Sequence, residues 1–281
     1  MTTLTVIGAG LIGGSLALDL KECGFADVVL GVDTNMLHAD MAQQLKLVDE
    51  IVTLDEGVER GDLIVLTTPI NVIKQLLPDI LTAIKPNQVV TDMGSTKGSV
   101  AEVVREHPNR QQFVLSHPMA GTEYSGPTAA KSGLFDGKAA IICDADESDV
   151  NAVDLIRRMY EAIGMHVMYM NSVNHDLSAA YVSHISHITS FALALTVLEK
   201  ERDEKTIANL ASGGFASTVR LAKSSADMWV PIFEQNATNV LEVIDTYIEK
   251  MQAFRQGIAD NNLVEVYRLI REANKIQKIL K

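Results

Sequence analysis

A glycine-rich turn near the amino terminus restricts the possible folds more than any other feature of this chain. Residues 4–7 form a short apolar segment, the sequence Gly8-Ala-Gly10-Leu-Ile-Gly13 follows directly, and a helical segment comes next. In such a turn the first glycine permits tight bending, the second lets the backbone approach a pyrophosphate, and the third lets the helix lie close to the strand. Free N–H groups at the start of the helix favour phosphate. The pattern predicts a dinucleotide-binding turn made by Gly8, Gly10, Leu11, Ile12 and Gly13.

The next strand-like segment indicates which dinucleotide is bound. Residues 28–32 are apolar and end at Asp33, which lies 20 residues after Gly13 (33 − 13). A carboxylate at this place can accept both ribose hydroxyls of NAD and repels the 2′-phosphate of NADP. The following residues, Thr34 and Asn35, provide no arginine for that phosphate. We predict NAD as the cofactor, with an ordinary turn at the strand end as the alternative explanation for Asp33.

Apolar and helical segments continue to alternate through the first half of the chain. Further strands are expected at 51–54, 63–67, 89–91, 113–115, 139–143 and 166–170, and helices at 35–45, 71–84, 96–105 and 148–163. This alternation predicts an α/β Rossmann domain with a doubly wound, mainly parallel sheet over residues 1–172. Because strand ends border the ligand cleft of such sheets, Thr67, Thr68 and Pro69 are expected to contact the cofactor.

The second half of the chain has a helical pattern. Apolar residues recur at three- and four-residue steps from Leu177 to Leu198, and long helices are expected over 232–259 and 263–280. We therefore expect an all-α domain over residues 173–281. Its amphipathic helices are predicted to bury faces against a second subunit and so to form a homodimer.

Composition excludes several classes of function. The net charge of −12 argues against a nucleic-acid partner, because a phosphate backbone requires a basic surface. Two cysteines without metal-ligand spacing indicate a reducing compartment. The amino terminus lacks the features of a signal peptide, and apolar runs are shorter than the roughly 18 residues that span a bilayer. A cytoplasmic protein without a membrane partner is expected.

Several polar side chains are candidates for chemistry. The segment 116–123, which reads Ser-His-Pro-Met-Ala-Gly-Thr-Glu, follows a predicted strand, and a neutral His117 can act as a general base. Ser95 is interpreted either as a helix cap or as a hydroxyl that faces the nicotinamide. His184 and His187 lie one helical turn apart, which favours a lined pocket over two buried structural histidines. No HExxH motif or third ligand accompanies them, so a metal site is not expected.

These motifs, taken in order, resemble a known family. GAGLIGGS, DMGSTK, SHPMAGTE, an HD…SHISH helix, GGF…R and MW are similar to the motifs of prephenate dehydrogenases, and the similarity covers essentially the whole chain. The resemblance implies a Rossmann domain and a helical dimerisation domain that enclose a cleft. It also implies NAD-dependent oxidative decarboxylation of prephenate to 4-hydroxyphenylpyruvate, with CO2 and NADH as further products, in tyrosine biosynthesis.

The resemblance also implies roles for individual residues. His117 is similar to the residue that binds the ring hydroxyl of the substrate, Ser95 to its partner near the nicotinamide, and Arg220 to the group that binds a substrate carboxylate. The other implied substrate-binding residues are Glu123, His184, His187, Gly213 and Trp229. One departure concerns the family pattern FRDxTR, which reads Phe-Ala-Ser-Thr-Val-Arg over residues 215–220 here.

Three alternatives stay open at this point. Arogenate, which carries an amine in place of the keto group of prephenate, is a possible substrate, and the departure at Ala216 and Ser217 bears on that choice. A β-hydroxyacid dehydrogenase would share the domain plan but typically uses a lysine where this chain has His184 and His187. A non-catalytic NAD-sensing module would not require His117, Ser95 and Arg220. Tyrosine is the expected inhibitor, acting at the active site or through the dimer, since the chain carries no recognisable ACT-like or chorismate mutase module.

Overall fold

An eight-stranded sheet is the framework of the first part of the molecule. The computed structural model describes residues 2–202 and 207–279, with the side chain of Ala208 excluded. The strands are β1 Thr3–Ile7, β2 Val28–Val32, β3 Glu50–Ile51, β4 Leu63–Leu66, β5 Val89–Asp92, β6 Phe113–Pro118, β7 Ala139–Cys143 and β8 His166–Met170. Their order is β3-β2-β1-β4-β5-β6-β7-β8, and all neighbours are parallel except β6 and β7. The predicted mainly parallel, doubly wound sheet is confirmed.

Helices cover both faces of this sheet. Those of the α/β part are α1 Leu11–Glu22, α2 Met36–Gln44, α3 Leu54–Arg60, α4 Ile70–Ala83, α5 Gly98–Val104 and α6 Val150–Ala162. Side chains of β4 alternate between two apolar clusters, with Leu63 and Val65 in one and Ile64 and Leu66 in the other. The first cluster includes residues of α1 and α6, and the second includes residues of α3, α4 and α5. A central strand buried on both faces explains the uninterrupted apolar sequence of β4.

The strand expected at 51–54 is shorter in the structure. β3 ends at Ile51 because Thr53 begins the next helix as its N-cap. The Thr53 hydroxyl accepts a hydrogen bond from the Glu56 N–H, while the Glu56 carboxylate accepts one from the Thr53 N–H at 2.9 Å. This reciprocal capping box starts α3 three residues after the strand. The signal Thr-x-x-Glu was present in the sequence.

The remaining elements are helical, as predicted. They are α7 Ser172–Ala179, a π-helical turn at Ala180–His184, α8 Ile185–Glu201, α9 Gly213–Thr218, α10 Ala226–Gln235, α11 Ala237–Ala259 and α12 Leu263–Ala273. The single helix expected over 232–259 is wrong, since it is interrupted at Asn236. That residue is 4% exposed and its side-chain N–H donates to the backbone carbonyl of Asp176 at 2.7 Å. The last helix, expected over 263–280, ends at Ala273, and a short 3₁₀-helix follows at Asn274–Lys278. The predicted end at Leu280 lies outside the described residues.

By its internal contacts the chain divides into two units, Met1–Asn236 and Ala237–Lys281. The second unit consists of α11 and α12, which form a helical hairpin. A Cβ atom added at Gly257 would lie 2.9 Å from a methyl group of Val266, so the two helices approach closely at this point. Large apolar side chains are exposed along this hairpin: Leu241, Tyr247, Ile248, Met251, Ile258, Leu263, Val264, Tyr267 and Ile270. The domain limits 1–172 and 173–281 stay a prediction.

One helical stretch has the length and composition of a membrane span. Ser172–Glu201 contains 30 residues, and the mean hydropathy of its most apolar part is 1.3. Apolar runs in the sequence are short, but polar residues are spread so thinly among them that an 18-residue window of this helix reaches this value. Length and composition alone are weak evidence, because helices of soluble proteins meet the same criteria. Buried, hydrogen-bonded Asp176 and His184 lie within this stretch.

A fully buried ion pair lies at the end of β5 and contacts the neighbouring strand β6. The Lys97 ammonium contacts the Asp92 carboxylate, and both side chains have no exposed surface. The ammonium also donates to the backbone carbonyl of Ser116 at 2.7 Å, and the carboxylate accepts from the Gly94 N–H at 2.9 Å. These contacts tie the loop after β5 to β6. Removing one partner of such a pair strongly lowers the free energy of unfolding, since the remaining charge would stay buried without a partner.

We therefore expect Lys97→Met to lower the free energy of unfolding by about 3–5 kcal/mol, the usual cost of leaving one buried charge unpaired. The double variant Lys97→Met/Asp92→Asn removes both charges and is expected to recover most of that loss. Urea denaturation of the wild type and the two variants measures both values. A loss below about 1 kcal/mol in the single variant would contradict the buried pair.

Candidate active site

The glycine turn has the geometry that the fingerprint predicts. Gly8 has a φ of +101°, a conformation that favours glycine, and its N–H donates to the backbone carbonyl of Val32 at 2.8 Å. A Cβ atom at Gly13 would lie 2.2 Å from the backbone oxygen of Gly8 and 2.6 Å from a methyl group of Val6. Gly13 therefore allows α1 to lie against β1. At Gly10 the nearest atom to an added Cβ is 4.0 Å away, so open space remains in front of this residue.

Asp33 lies against the glycine turn. Its carboxylate accepts from the backbone N–H of Ala9 at 3.3 Å and from that of Asn35 at 2.9 Å. On the opposite side, the Thr67 hydroxyl donates to the backbone oxygen of Gly8 at 2.6 Å. The ends of β1, β2 and β4 thus meet around one turn, as expected where parallel strands end together.

A cavity of about 490 Å³ opens along these strand ends. Nine of the ten predicted cofactor-binding residues line it: Gly8, Gly10, Leu11, Ile12, Asp33, Thr67, Thr68, Pro69 and Ser95. The tenth, Gly13, does not line the cavity and lies where α1 contacts β1. That the pyrophosphate of the dinucleotide lies at Gly10 and a ribose at Asp33 stays a prediction.

Sequence reasoning did not identify a second group of lining residues. They are His38, Tyr124, Ser125, Gly126, Ser225, Asp227 and Met228. The loop 124–126 and the beginning of α10 carry no nucleotide-binding motif of their own. They reach the cavity only because the chain folds back on the first strands, so no local signal could have revealed them.

β6, expected over 113–115, continues to Pro118, so His117 lies within the strand near its end, one strand away from the cavity wall at 93–95. Its Nδ1 atom is 2.9 Å from Nε2 of His175, and the two rings meet edge to face. Burial holds the pKa of His117 well below its usual value, and the positive charges of His175, when protonated, and of Lys97 act in the same direction. The imidazole is therefore neutral at physiological pH and able to accept a proton.

His175 and Asp176 are functional candidates that sequence reasoning missed as site residues. They are 2% and 6% exposed, and Nδ1 of His175 is 2.8 Å from Oδ1 of Asp176. The same carboxylate accepts the backbone N–H groups of Lys97 at 2.7 Å and Gly98 at 2.8 Å. The adjacent His–Asp pair just after the last strand was the available signal, but its meaning depends on His117, which lies 58 residues earlier.

His184 is buried beside Asn236, whose side chain is 3.2 Å from Nδ1 of the imidazole. Burial lowers the pKa of His184 to about 4. Burial also lowers the pKa of His187, which stacks on Trp229 with 3.5 Å between ring centroids. Trp229 meets His184 edge to face at 5.9 Å. The predicted residues His184, His187 and Trp229 therefore form one aromatic cluster.

Arg220 and Glu123 form an ion pair, with the guanidinium nitrogen 2.7 Å from the carboxylate. The Glu123 side chain is 14% exposed and that of Arg220 is 50% exposed. Hydrogen bonds from the backbone of Glu123 and from Arg220 lower the pKa of the Glu123 carboxyl. Gly213 begins α9 in open surroundings, since an added Cβ would meet no atom within 4 Å. Ser217, at the departure from the family pattern, donates to the Gly214 backbone oxygen at 2.9 Å.

Comparison with known proteins identifies two matching families. Residues 16–169 match the family described as "Prephenate dehydrogenase, nucleotide-binding domain", and residues 171–272 match "Prephenate dehydrogenase, dimerization domain". A prephenate dehydrogenase of Bacillus subtilis is 29% identical over 96% of this chain and 74% of its own length. A cyclohexadienyl dehydrogenase of Zymomonas mobilis is 29% identical over 99% of this chain and 96% of its own length.

A solved structure shows the same architecture. The crystal structure of prephenate dehydrogenase from Aquifex aeolicus, in complex with hydroxyphenyl propionate and NAD+, superposes with a TM-score of 0.89 at 28% sequence identity. The match covers 100% of this chain and 99% of that chain.

Two glycine variants distinguish cofactor binding from folding. Gly10→Ala adds a methyl group where the protein leaves space, so we expect the free energy of unfolding to change by less than about 1 kcal/mol. The methyl group occupies the approach of the pyrophosphate and is expected to raise the Kd of NAD at least about tenfold, or about 1.4 kcal/mol. Gly13→Ala instead forces contact with the backbone of Gly8 and is expected to lower the free energy of unfolding by about 3 kcal/mol. Calorimetric titration and urea denaturation measure these effects, and equal stability losses in both variants would refute the distinction.

The low pKa of His184 predicts a pH-dependent stability. In the unfolded chain this imidazole binds a proton near its usual pKa of 6.5, whereas in the folded protein it does so only near pH 4. As the pH falls from 6.5 to 4, the unfolded state binds more protons, and we expect His184 to lower the free energy of unfolding by about 3 kcal/mol over this range. His184→Asn keeps a polar atom near Asn236 without the titration. The difference in the free energy of unfolding between wild type and variant, measured by urea denaturation, should shrink by that amount between pH 6.5 and pH 4. A difference that stays constant with pH would contradict the assignment.

Proposed function

This chain belongs to the prephenate dehydrogenase family, and we propose that it converts prephenate and NAD to 4-hydroxyphenylpyruvate, CO2 and NADH. The family match covers the nucleotide-binding and the helical part of the chain. The observation that carries the proposal is a neutral histidine, His117, in a buried hydrogen-bond chain one strand from a dinucleotide-sized cavity. NAD, when bound, supplies the acceptor for the hydride that leaves C4 of the substrate ring.

Holding NAD requires little more than the strand ends of the Rossmann sheet. Gly10 leaves room for the pyrophosphate, and the N–H groups at the start of α1 favour its negative charge. Asp33 is positioned to accept the ribose hydroxyls that NAD presents and to repel a 2′-phosphate. The Ser95 hydroxyl, which lines the same cavity, supports a role beside the nicotinamide and the substrate hydroxyl.

His117 would move one proton at the substrate oxygen. As the hydride leaves C4, Nε2 of His117 accepts the hydroxyl proton, and the C4–O bond becomes a carbonyl. The ring carboxylate then leaves as CO2, and its bonding electrons make the ring aromatic. The oxygen, now a phenolate, takes the proton back from His117 to give the phenol. Atoms and charge balance without an additional acid, since the same proton returns.

A second group of residues, which includes Arg220 and Glu123, would hold the side chain of the substrate. Arg220 uses one N–H on Glu123 and has further donors for a carboxylate. The charge of Arg220 contributes to the lowered pKa of His187, and His187 stacks on Trp229, so the two rings offer a flat surface near this arginine. Because Glu123 is ionised and faces the same region, arogenate is the second candidate substrate: its ammonium group would be attracted to a carboxylate. The likeness to a cyclohexadienyl dehydrogenase also supports this alternative.

A steady-state assay of NADH formation tests the proposed function. Prephenate and arogenate are each supplied with NAD or NADP, with and without tyrosine. We expect turnover of prephenate with NAD and a higher kcat/KM than with arogenate. A higher kcat/KM with arogenate would assign the alternative substrate, and NAD binding without turnover of either compound would favour a non-catalytic NAD-sensing module.

We also propose that the protein is a cytoplasmic homodimer. The match to a dimerization domain supports the helices of residues 171–272 as the interface. Exposed apolar side chains on α8, Leu195 and Leu198, and on the α11–α12 hairpin are suited to such a contact. Sedimentation equilibrium of the full chain should give twice the mass of 30.6 kDa.

His117→Asn should remove the base and little else. Asparagine places a polar atom near the position of Nδ1, where it can still contact His175, but it has no counterpart of Nε2. We expect kcat to fall by about 10²–10⁴-fold, the usual effect of losing a general base, while the Kd of NAD is unchanged. Stopped-flow turnover and fluorescence titration with NAD measure the two quantities. Near-normal kcat would exclude His117 as the base.

Asp33→Ala should change the choice between NAD and NADP. The variant loses hydrogen bonds between a charged group and the ribose hydroxyls, which are worth about 1.5–3 kcal/mol each, so kcat/KM for NAD is expected to fall more than tenfold. It also loses the repulsion of a 2′-phosphate, so the ratio of NAD to NADP efficiency should fall further. Asp27→Ala is the matched control, since Asp27 precedes β2, which Asp33 follows, and does not line the cavity. An unchanged cofactor ratio would remove Asp33 from the ribose site.

A further inference from the structure

Three side chains from distant parts of the sequence form a line behind the proposed base. Nδ1 of His117 is 2.9 Å from Nε2 of His175, and Nδ1 of His175 is 2.8 Å from Oδ1 of Asp176. His175 and Asp176 are almost completely buried, at 2% and 6% exposure. Nδ1 of His117 and both ring nitrogens of His175 therefore have hydrogen-bond partners inside the protein.

The direction of every hydrogen bond in this line follows from Asp176 when His175 is neutral. Its carboxylate already accepts two backbone N–H groups, those of Lys97 at 2.7 Å and Gly98 at 2.8 Å, and backbone N–H groups can only donate. The carboxylate is thus an acceptor, so Nδ1 of His175 carries the proton that lies between them. In a neutral imidazole the other nitrogen has a lone pair. Nε2 of His175 is then an acceptor, and the proton between the two histidines is on Nδ1 of His117.

We infer that His175 and Asp176 are positioning residues that hold His117 in the tautomer with a proton on Nδ1 and a lone pair on Nε2. This is the only neutral tautomer of His117 that can accept a proton through Nε2. The inference rests on the proposed function for the identity of the proton donor, the substrate hydroxyl. The tautomer itself depends only on the hydrogen-bond line and is present without substrate.

The same line stabilises His117 after it accepts the proton. The imidazolium has N–H groups on both nitrogens, and the one on Nδ1 is already directed at the lone pair of His175. The new positive charge is thereby shared toward the Asp176 carboxylate, which lies behind His175 and is shielded from water. In the aspartate–histidine pair of serine proteases, loss of the orienting carboxylate lowers kcat about 10⁴-fold because the imidazole takes the wrong tautomer.

Nitrogen-15 NMR of the histidine rings tests the tautomer without any turnover. The chain has 7 histidines, and the signals of His117 are those that disappear in His117→Asn. In the enzyme without substrate we expect Nδ1 of His117 to be protonated and Nε2 to be unprotonated. In His175→Phe, which keeps an aromatic ring but has no acceptor, both tautomers of His117 should be populated. Wild-type His117 with its proton on Nε2, or an unchanged tautomer in His175→Phe, would overturn the inference.

A pair of substitutions at His175 separates positioning from general damage to the structure. Glutamine can place its carbonyl oxygen near the position of Nε2, so His175→Gln keeps an acceptor for His117, whereas His175→Phe keeps only the shape. We expect His175→Phe to lower kcat about 100-fold, with KM for prephenate and NAD changed less than about threefold, and His175→Gln to recover at least about tenfold of that loss. His166→Gln, an exposed histidine on β8, is the control for histidine replacement and should keep wild-type kcat.

The outcomes remain distinct from those of the proposed function. His175 does not position the base if His175→Phe keeps kcat within about threefold of wild type. The same conclusion follows if His175→Phe and His175→Gln change kcat and KM by equal factors. If the wild type converts neither prephenate nor arogenate, the proposed function fails, and the NMR experiment alone then decides whether His175 and Asp176 set the tautomer of His117.

Discussion

Two carboxylates hold Lys97 from two sides, and the geometry of the candidate site depends on both. Asp92, at the end of β5, binds the side-chain ammonium, whereas Asp176, in α7, binds the backbone N–H. The same ammonium donates to the backbone of Ser116, next to His117, and the Asp176 carboxylate also contacts His175. One residue thus connects the sheet to the first helix of the helical part and brings the two histidines together. Because all of these groups are buried, each loses a partner that water cannot replace if any of them is removed.

The cofactor side and the substrate side of the site are built differently. The cofactor cavity is formed largely by backbone at strand ends and by the lack of side chains at glycine, so its function depends on shape and on free N–H groups. The proposed substrate side consists of charged and aromatic side chains: the pair of Arg220 and Glu123, and the stack of His187 on Trp229. Burial lowers the pKa of His117, His184 and His187, which favours the neutral imidazole that the proposed base requires.

This difference explains how much could be predicted. Gly8, Gly10 and Asp33 lie within a continuous stretch of chain whose pattern specifies a local conformation, and the structure has these residues around one cavity. The alternation of apolar segments likewise predicted the sheet. Two of the errors lie where a side chain starts or interrupts a helix, at Thr53 and Asn236. In contrast, nothing near His117 in the sequence indicates His175. A hydrogen bond across 58 residues is a property of the fold, and the candidates Glu123 and Arg220 were connected beforehand only by a family resemblance.

The sequence by itself determined the Rossmann sheet, the position of the glycine turn and the acidic residue that follows the second strand. These features arise from local constraints: apolar periodicity, a backbone conformation that only glycine adopts readily, and a fixed distance along the chain. Tertiary structure alone decided which polar groups share protons. The tautomer of His117, the low pKa of His184 and the partner of Arg220 each result from burial and from atoms that are remote in sequence, because electrostatics and hydrogen bonding act through space.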